Sequence, residues 1–230
     1  MTTPHNKQDT ARRVAGLLLD AGCVSVRGEE PFRLPSGWAS PVYMDCRRLI
    51  SFPAIRRELV ALGLQRLRAD GGLEGVRAIA GAETSGIALA AWMAESLELP
   101  LLVVRKQPTA QTPVEGVVEP GACVLLVDDL MAAGASKLKF CGALARAGAQ
   151  VRDLFVVFDY GSFDTAARLS PLGVRAHALA TWADVLVLAT ERAAFDAAAL
   201  AELGRFLHNP PAWSLAHGGI GGLPSISALS

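Results

Sequence analysis

Short apolar runs alternate with helical stretches between residues 76 and 180, and this alternation constrains the fold more than any other sequence feature. The apolar runs cover 76–80, 99–104, 122–127, 154–158 and 174–180, and helical patterns lie between them at 85–98, 136–148 and 162–169. Strands that are separated by helices predict a mostly parallel sheet with helices on both faces. We therefore expect an α/β fold with its core at about 76–180.

Two segments flank this predicted core. On the N-terminal side, helical spacing over 8–22 and 52–69 surrounds a proline-containing, irregular or strand-like stretch at 23–50. On the C-terminal side, an Ala-rich amphipathic helix is predicted over 182–207, and the Gly-, Pro- and Ser-rich tail 209–230 is expected to fray. The N-terminal piece is too small to fold alone, so we expect one domain over residues 1–230.

Charge and cysteine usage narrow the possible classes of protein. The 22 Lys and Arg residues balance 22 Asp and Glu residues, so no basic field attracts nucleic acid or an anionic membrane. No apolar run is long enough for a transmembrane helix, and the polar first ten residues do not resemble a signal peptide. The four cysteines form no C-x-x-C pair, which indicates reduced thiols and a cytoplasmic protein. The neutral, apolar composition also favours self-association.

Two adjacent carboxylates, Asp128 and Asp129, follow the apolar run 122–127. Adjacent acids are unfavourable unless something pairs with them, and a ribose diol or hydrated Mg²⁺ would do so. The next residues are small, namely Ala132, Ala133, Gly134, Ala135 and Ser136, and a helix is predicted to start near Ser136. Such a loop lets backbone amides converge on a phosphate at a helix N-terminus. The pattern predicts a ribose-5-phosphate site, and the alternative is a solvated turn capped by Ser136.

This segment, VLLVDDLMAAGASK at 124–137, resembles the signature motif of the type I phosphoribosyltransferases. These enzymes use 5-phosphoribosyl-1-pyrophosphate (PRPP) and Mg²⁺. The resemblance implies that Asp128 and Asp129 bind the ribose hydroxyls and, through water, Mg²⁺. It also implies that residues 132–136 hold the 5-phosphate.

A second segment, FRLPSGWASPVYMDCRRLISFPAIR at 32–56, resembles the N-terminal region of the orotate phosphoribosyltransferases. In that family the segment forms a hood over the base, which corresponds here to about 23–50. The resemblance implies that Ser36 and Tyr43 lie near orotate, with Trp38 as a further candidate neighbour of the ring. The implied reaction replaces pyrophosphate by orotate N1 and gives orotidine 5'-monophosphate, in the biosynthesis of UMP.

The resemblance extends to the residues that would bind pyrophosphate. Backbone amides of a turn at Glu83, Thr84 and Ser85 would hold its oxygens. Arg105 and Lys106 begin the family's mobile loop, here 105–116, which crosses the interface of a homodimer to the partner's pyrophosphate. The resemblance therefore assigns catalytic roles to Asp128, Asp129 and Lys106.

The sequence departs from the family pattern in this loop and in the phosphate cradle. Thr109 and Gln111 stand where the family places a Lys and often a His, and Ala132 and Ala135 replace threonines. Removal of one group that stabilises developing charge typically lowers a rate about 10²- to 10³-fold. Two functions therefore remain open at this point. One is a working orotate phosphoribosyltransferase, and the other is a catalytically impaired homologue that acts as a ligand-binding or regulatory subunit.

The four histidines form no metal-binding pattern. His177 falls in the middle of the predicted strand 174–180. We interpret it as a hydrogen-bonded core residue.

Overall fold

The computed structural model describes residues 7–27, 30–34, 36–106 and 113–222. The strands are β1 (Val24–Val26), β2 (Phe32–Arg33), β3 (Ala39–Ser40), β4 (Val42–Met44), β5 (Val76–Ala82), β6 (Leu101–Val104), β7 (Val114–Glu115), β8 (Cys123–Met131), β9 (Gln150–Asp159) and β10 (Arg175–Thr181). The helices are α1 (Lys7–Asp20), α2 (Pro53–Ala69), α3 (Gly86–Leu97), α4 (Ala135–Arg146), α5 (Thr165–Leu169), α6 (Trp182–Glu191), α7 (Ala197–His208) and α8 (Pro210–Ala216). Two 3₁₀ helices cover Cys46–Ser51 and Ser170–Leu172.

The predicted α/β fold is confirmed by a six-stranded sheet at the centre of the molecule. Its strand order is β10-β9-β8-β5-β6-β7, and only β7, at the edge, runs antiparallel to its neighbour. The central strands are apolar on both faces because helices cover both faces. The carboxyl ends of the parallel strands therefore meet at one edge, where open α/β sheets bind ligands.

Two apolar layers flank the sheet. One contains buried residues of α1, α2, α3 and α6, and the other contains buried residues of α4 and α5. Gly63 lets α2 lie directly on the sheet, because a Cβ there would stand 2.6 Å from the ring of Phe155. No helix within the described ranges is long and apolar enough to cross a bilayer.

The predicted hood consists of two small antiparallel pairs rather than one sheet. Strand β1 pairs with β4, and β2 pairs with β3 to form a hairpin. The first pair packs into the main core through buried Val42 and Met44. The hairpin instead joins a separate small cluster in which Ala39 packs against Phe206 and Trp213 of the C-terminal helices.

The structure corrects two predictions for the C-terminal region. The single helix expected over 182–207 is two helices, and Ala193 between them has a positive φ of 48°. The start of the tail, expected to fray, forms α8 instead. Asn209 caps that helix by accepting a hydrogen bond from Ala212 N at 3.1 Å, and Pro210 occupies its first turn.

Candidate active site

The acidic pair lies within a strand rather than after it, because β8 continues through Asp128 and Asp129 to Met131. Asp128 is 6% exposed. Its Oδ1 accepts a hydrogen bond from Asp129 N at 2.9 Å, and its Oδ2 contacts the Lys137 ammonium. A buried carboxylate needs such partners to remain charged.

Lys137 is a site residue that sequence reasoning missed. It lies in the first turn of α4 and is 4% exposed, and its Nζ contacts Asp128 and lies 3.5 Å from Ser136 Oγ. Its position directly after the small-residue loop, nine residues beyond Asp128, was the available signal. The pairing supplies a cation beneath the acidic pair.

Asp129 has a different environment from its neighbour. Burial, followed by the adjacent charge of Asp128, raises the pKa of Asp129 to about 7, and the Lys137 ammonium opposes that rise. The residue borders a small cavity together with Ser85 and Cys46. A cation or a pair of hydroxyl donors at this position would stabilise the ionised carboxylate.

The small-residue loop ends at Gly134, whose φ of +78° is a conformation that glycine adopts readily. Helix α4 then begins at Ala135, and Lys137 N and Leu138 N both donate to Gly134 O. The first amides of a helix have no acceptor within the helix, and the helix dipole favours an anion there. Residues 132–136 therefore form a loop that leads into a helix N-terminus, with Ala135 and Ser136 already in the helix.

The turn at Glu83, Thr84 and Ser85 lies beside the acidic pair, because β5 and β8 are neighbours in the sheet. The peptide bond between Glu83 and Thr84 is cis. A Cβ on Gly86 would stand 2.4 Å from Val127 O and 2.8 Å from Asp128 Cα. This contact shows how closely the turn approaches the acidic pair.

Arg105 and Lys106 lie at the carboxyl end of β6 and are held by two carboxylates of the same chain. Arg105 Nε donates to Glu115 at 2.5 Å, and Arg105 Nη1 lies 3.4 Å from Glu83. Lys106 N donates to Glu83 Oε2 at 2.7 Å. The partner Glu115 raises the pKa of Arg105. Thr109 and Gln111, on which the loop prediction rests, lie outside the described residues.

The hood residues approach the site from two directions. The 3₁₀ helix Cys46–Ser51 contacts the cavity beside Asp129, and Tyr43 precedes it on β4, where its hydroxyl accepts from Arg47 at 3.2 Å. Ser36 is exposed in the turn of the β2–β3 hairpin, and no contact places it beside Asp129. The same hairpin contacts the loop after β9, where Trp38 meets Phe163 edge-to-face at 4.9 Å.

Asp159, at the carboxyl end of β9, is a second residue that sequence reasoning did not select. Its carboxylate accepts from Gly161 N at 3.1 Å and Thr165 Oγ1 at 3.3 Å. Burial raises its pKa. Thr165 in turn lies 3.9 Å from where a Cβ on Gly134 would stand, so Asp159 and Thr165 lie beside the small-residue loop.

The chain is similar to curated proteins named orotate phosphoribosyltransferase. One from Cereibacter sphaeroides strain KD131 is 46% identical over 211 residues, which cover 90% of this chain and 91% of that protein. One from Sinorhizobium fredii is 41% identical over 222 residues, which cover 95% of this chain and 96% of that protein. No family model matches the chain.

Solved structures give a consistent result. An orotate phosphoribosyltransferase from Aeropyrum pernix has a TM-score of 0.67 and 31% identity, covering 80% of this chain and 99% of that one. The UMP synthase of Leishmania donovani has a TM-score of 0.76 and 27% identity, covering 87% of this chain and 43% of that longer one.

Proposed function

Because the chain belongs to the orotate phosphoribosyltransferase family, we propose that it transfers the ribose 5-phosphate group of PRPP to orotate. The products are orotidine 5'-monophosphate and pyrophosphate. The matched structures confirm the predicted type I phosphoribosyltransferase fold. The proposal rests on one observation, the meeting of acidic pair, small-residue loop and turn 83–86 at the carboxyl ends of β5 and β8.

The first step is the positioning of PRPP. The amides at the start of α4, within residues 132–136, bind the 5-phosphate. Asp129 accepts hydrogen bonds from the ribose hydroxyls, and Asp128 completes the acidic pair while its ion pair with Lys137 fixes its orientation. Amides of the turn at 83–85 bind pyrophosphate oxygens. These roles are supported by the placement of each group on neighbouring strands.

The second step is displacement at the anomeric carbon. Orotate N1 forms a bond to that carbon as the bond to pyrophosphate breaks, through a transition state with positive charge on the ribose ring. The negative charge of Asp129 favours that ring charge, and Arg105 and Lys106 stabilise the departing pyrophosphate. The negative charge of orotate lies on its carboxylate, and the N1 proton passes to the departing pyrophosphate as the new bond forms.

Mg²⁺ fits the acidic pair as a further part of this proposal. Two carboxylates share the ammonium of Lys137, and burial, followed by the charge of Asp128, raises the pKa of Asp129, so a cation there would stabilise its ionised form. The described residues contain no cluster of three or more metal-binding side chains, so substrate oxygens and water would complete the coordination. Asp128 and Asp129 would hold the ion through water, and when bound it would neutralise charge on the pyrophosphate.

Further parts of the proposal concern the hood, assembly and location. The hood, at about 23–50, covers the base, with Ser36 and Tyr43 near orotate, which is supported by the contact of Trp38 with Phe163 and by the place of Cys46 at the cavity beside Asp129. The protein acts as a homodimer with loop 105–116 crossing the interface, supported by the exposed apolar side chains of Leu101 and Val117 next to it.

A cytoplasmic location is supported by four free, buried cysteines.

The loss of orotate absorbance after addition of PRPP and Mg²⁺ to the purified protein tests the reaction. Turnover at roughly 1–10³ per second is expected. Chelation of Mg²⁺ should abolish it, and Asp129→Asn should lower it about 10²- to 10³-fold. Absence of turnover by the unsubstituted protein, with both substrates and Mg²⁺ present, would overturn the proposed function.

A further inference from the structure

The C-terminal segment at 210–222 contacts the β2–β3 hairpin of the hood directly. Ser214 Oγ accepts a hydrogen bond from Ala39 N at 2.9 Å and donates to Ile220 O at 2.6 Å. Ile220 N donates to Gly37 O at 3.1 Å. The segment therefore holds the hairpin at two points, one on β3 and one at its turn.

The atoms that make these contacts are closely packed. Ser214 and Ala39 are fully buried. A Cβ on Gly219 would stand 2.4 Å from both Ala39 N and Ser214 Oγ, which is closer than real side chains approach. Trp213 anchors the segment to α7 by donating from Nε1 to Glu202 Oε1 at 2.5 Å. The position of the hairpin is thus coupled to the position of residues 213–220.

The hairpin is not part of the main sheet. In the described part of the chain, β2 and β3 pair only with each other. The hairpin makes aromatic contacts through Phe32, whose ring lies 5.7 Å from that of Tyr43, and through Trp38, which meets Phe163 in the loop after β9. The hydrogen bonds from the C-terminal segment therefore add a fixed support to β3 and to the turn.

We propose that residues 210–220 position the hairpin over the base substrate, and that Ser214 and Gly219 are positioning residues for orotate. This inference rests on the proposed function, in which the hairpin covers orotate. The groups assigned to PRPP lie on β8, on α4, in the turn after β5 and directly after β6, and none of them belongs to the C-terminal segment. A displaced hairpin therefore weakens orotate binding selectively, because a shift of about 1 Å can cost roughly 10²-fold in a positioned reaction.

The variant Gly219→Ala tests this inference, with Gly204→Ala as the matched control. Gly204 lies on α7 with nothing within 4 Å of an added Cβ. We expect Gly219→Ala to raise the KM for orotate about tenfold while the KM for PRPP stays within about twofold. Gly204→Ala should change neither constant. An unchanged orotate KM, or an equal rise in both constants, would overturn the inference.

A second measurement reports the hairpin's position without catalysis. In hydrogen exchange, the amide of Ala39 should exchange about tenfold faster in Gly219→Ala than in Gly204→Ala. Absence of turnover by the unsubstituted protein would contradict the proposed function. Unchanged hydrogen exchange at Ala39 in Gly219→Ala would separately contradict the inference that the C-terminal segment holds the hairpin in place. If Gly219→Ala does not fold, Ser214→Ala, which removes the acceptor for Ala39 N, takes its place in both measurements with the same expected results.

Discussion

The ammonium of Lys137 forms a buried ion pair with the carboxylate of Asp128 directly beneath the proposed ribose site. With Asp129 N on its other oxygen, Asp128 has both carboxylate oxygens engaged within the protein. The two adjacent acids are therefore not equivalent, and Asp129 is the one whose charge is least compensated. This difference leads to separate predictions for the two positions.

Substitution of Lys137 by Met should destabilise the protein strongly. The change leaves Asp128 charged and buried without its cation, which typically costs about 3–5 kcal/mol of unfolding free energy. Lys139→Met is the matched control, since Lys139 lies on the same helix and is exposed. Urea unfolding of the three proteins measures the difference.

The double variant Lys137→Met with Asp128→Asn separates the ion pair from packing. Removal of both charges should recover much of the lost stability, because no unpaired ion then remains buried. Equal unfolding free energies for Lys137→Met and Lys139→Met would show that the pair contributes nothing.

The variant Asp129→Asn should stabilise the free protein, and the gain should grow with pH. Between the ordinary value of 3.8 and about 7, the unfolded chain has lost the proton of Asp129 while the folded chain retains it. Stability therefore falls as pH rises through this window and is constant above it, and an amide does not suffer this loss. At about 1.4 kcal/mol per pKa unit, the gain is about 4 kcal/mol at pH 8 and less than half of that at pH 5.

Thermal or urea unfolding at several pH values, with Mg²⁺ chelated, measures this gain. Asp184→Asn would be a poor control because Asp184 caps α6, whereas Glu30→Gln, at an exposed position outside any helix, offers a neutral reference. A gain that does not change between pH 5 and pH 8 would contradict the assignment of the raised pKa to Asp129.

The sequence was sufficient to predict the parallel sheet and a small-residue loop before a helix, because both depend on local patterning, while phosphate binding by that loop stays a prediction. Apolar runs mark the buried strands, and small residues before a helix mark the loop at Ala132–Ser136. The strand that carries Asp128 extends to Met131, whereas the predicted apolar run ends at residue 127, because charged residues are not typical of a buried strand. The ion pair with Lys137 makes that burial possible, and a pairing between side chains nine residues apart is not visible in hydrophobic periodicity.

The C-terminal segment was mispredicted for a related reason. Its Gly, Pro and Ser residues are typical of a fraying tail, yet three of them in the described part have defined structural roles. Pro210 begins α8, Ser214 bonds to β3, and Gly219 allows the close approach to Ala39. Those partners lie about 175 residues away in the chain, which local propensity does not report.

The prediction that His177 is a hydrogen-bonded core residue is confirmed. This residue allows stability to be tested separately from turnover. His177 Nε2 lies 2.7 Å from Asp153, and Nδ1 lies 3.2 Å from Asp70, near the amino ends of the strands and away from the candidate site. His177→Gln should lose about 1–3 kcal/mol, since Asp153 is buried and loses a partner. That corresponds to a melting temperature lower by about 2–12 °C at this chain length.

Turnover by His177→Gln at a temperature where it is folded should match that of the unsubstituted protein. His208→Gln, at the exposed end of α7, is the control and should change neither property. A melting temperature equal to that of the control would mean that the two carboxylates do not depend on His177.

Gly86 tests whether the turn after β5 must approach the acidic pair. A Cβ there would collide with the backbone of β8, at 2.4 Å from Val127 O, and backbone atoms cannot rotate away. We expect Gly86→Ala to lose about 1–3 kcal/mol of stability and to raise the KM for PRPP, because α3 and the turn must shift away from Asp128.

Gly142→Ala on α4 is the control, since the contact nearest its added Cβ is the end of the flexible Arg146 side chain at 3.4 Å. That variant should keep its KM and gain up to about 1 kcal/mol from better helix propensity. Unfolding and initial-rate measurements on both proteins distinguish these outcomes, and a Gly86→Ala protein with unaltered PRPP kinetics would remove the turn at 83–85 from the proposed pyrophosphate site.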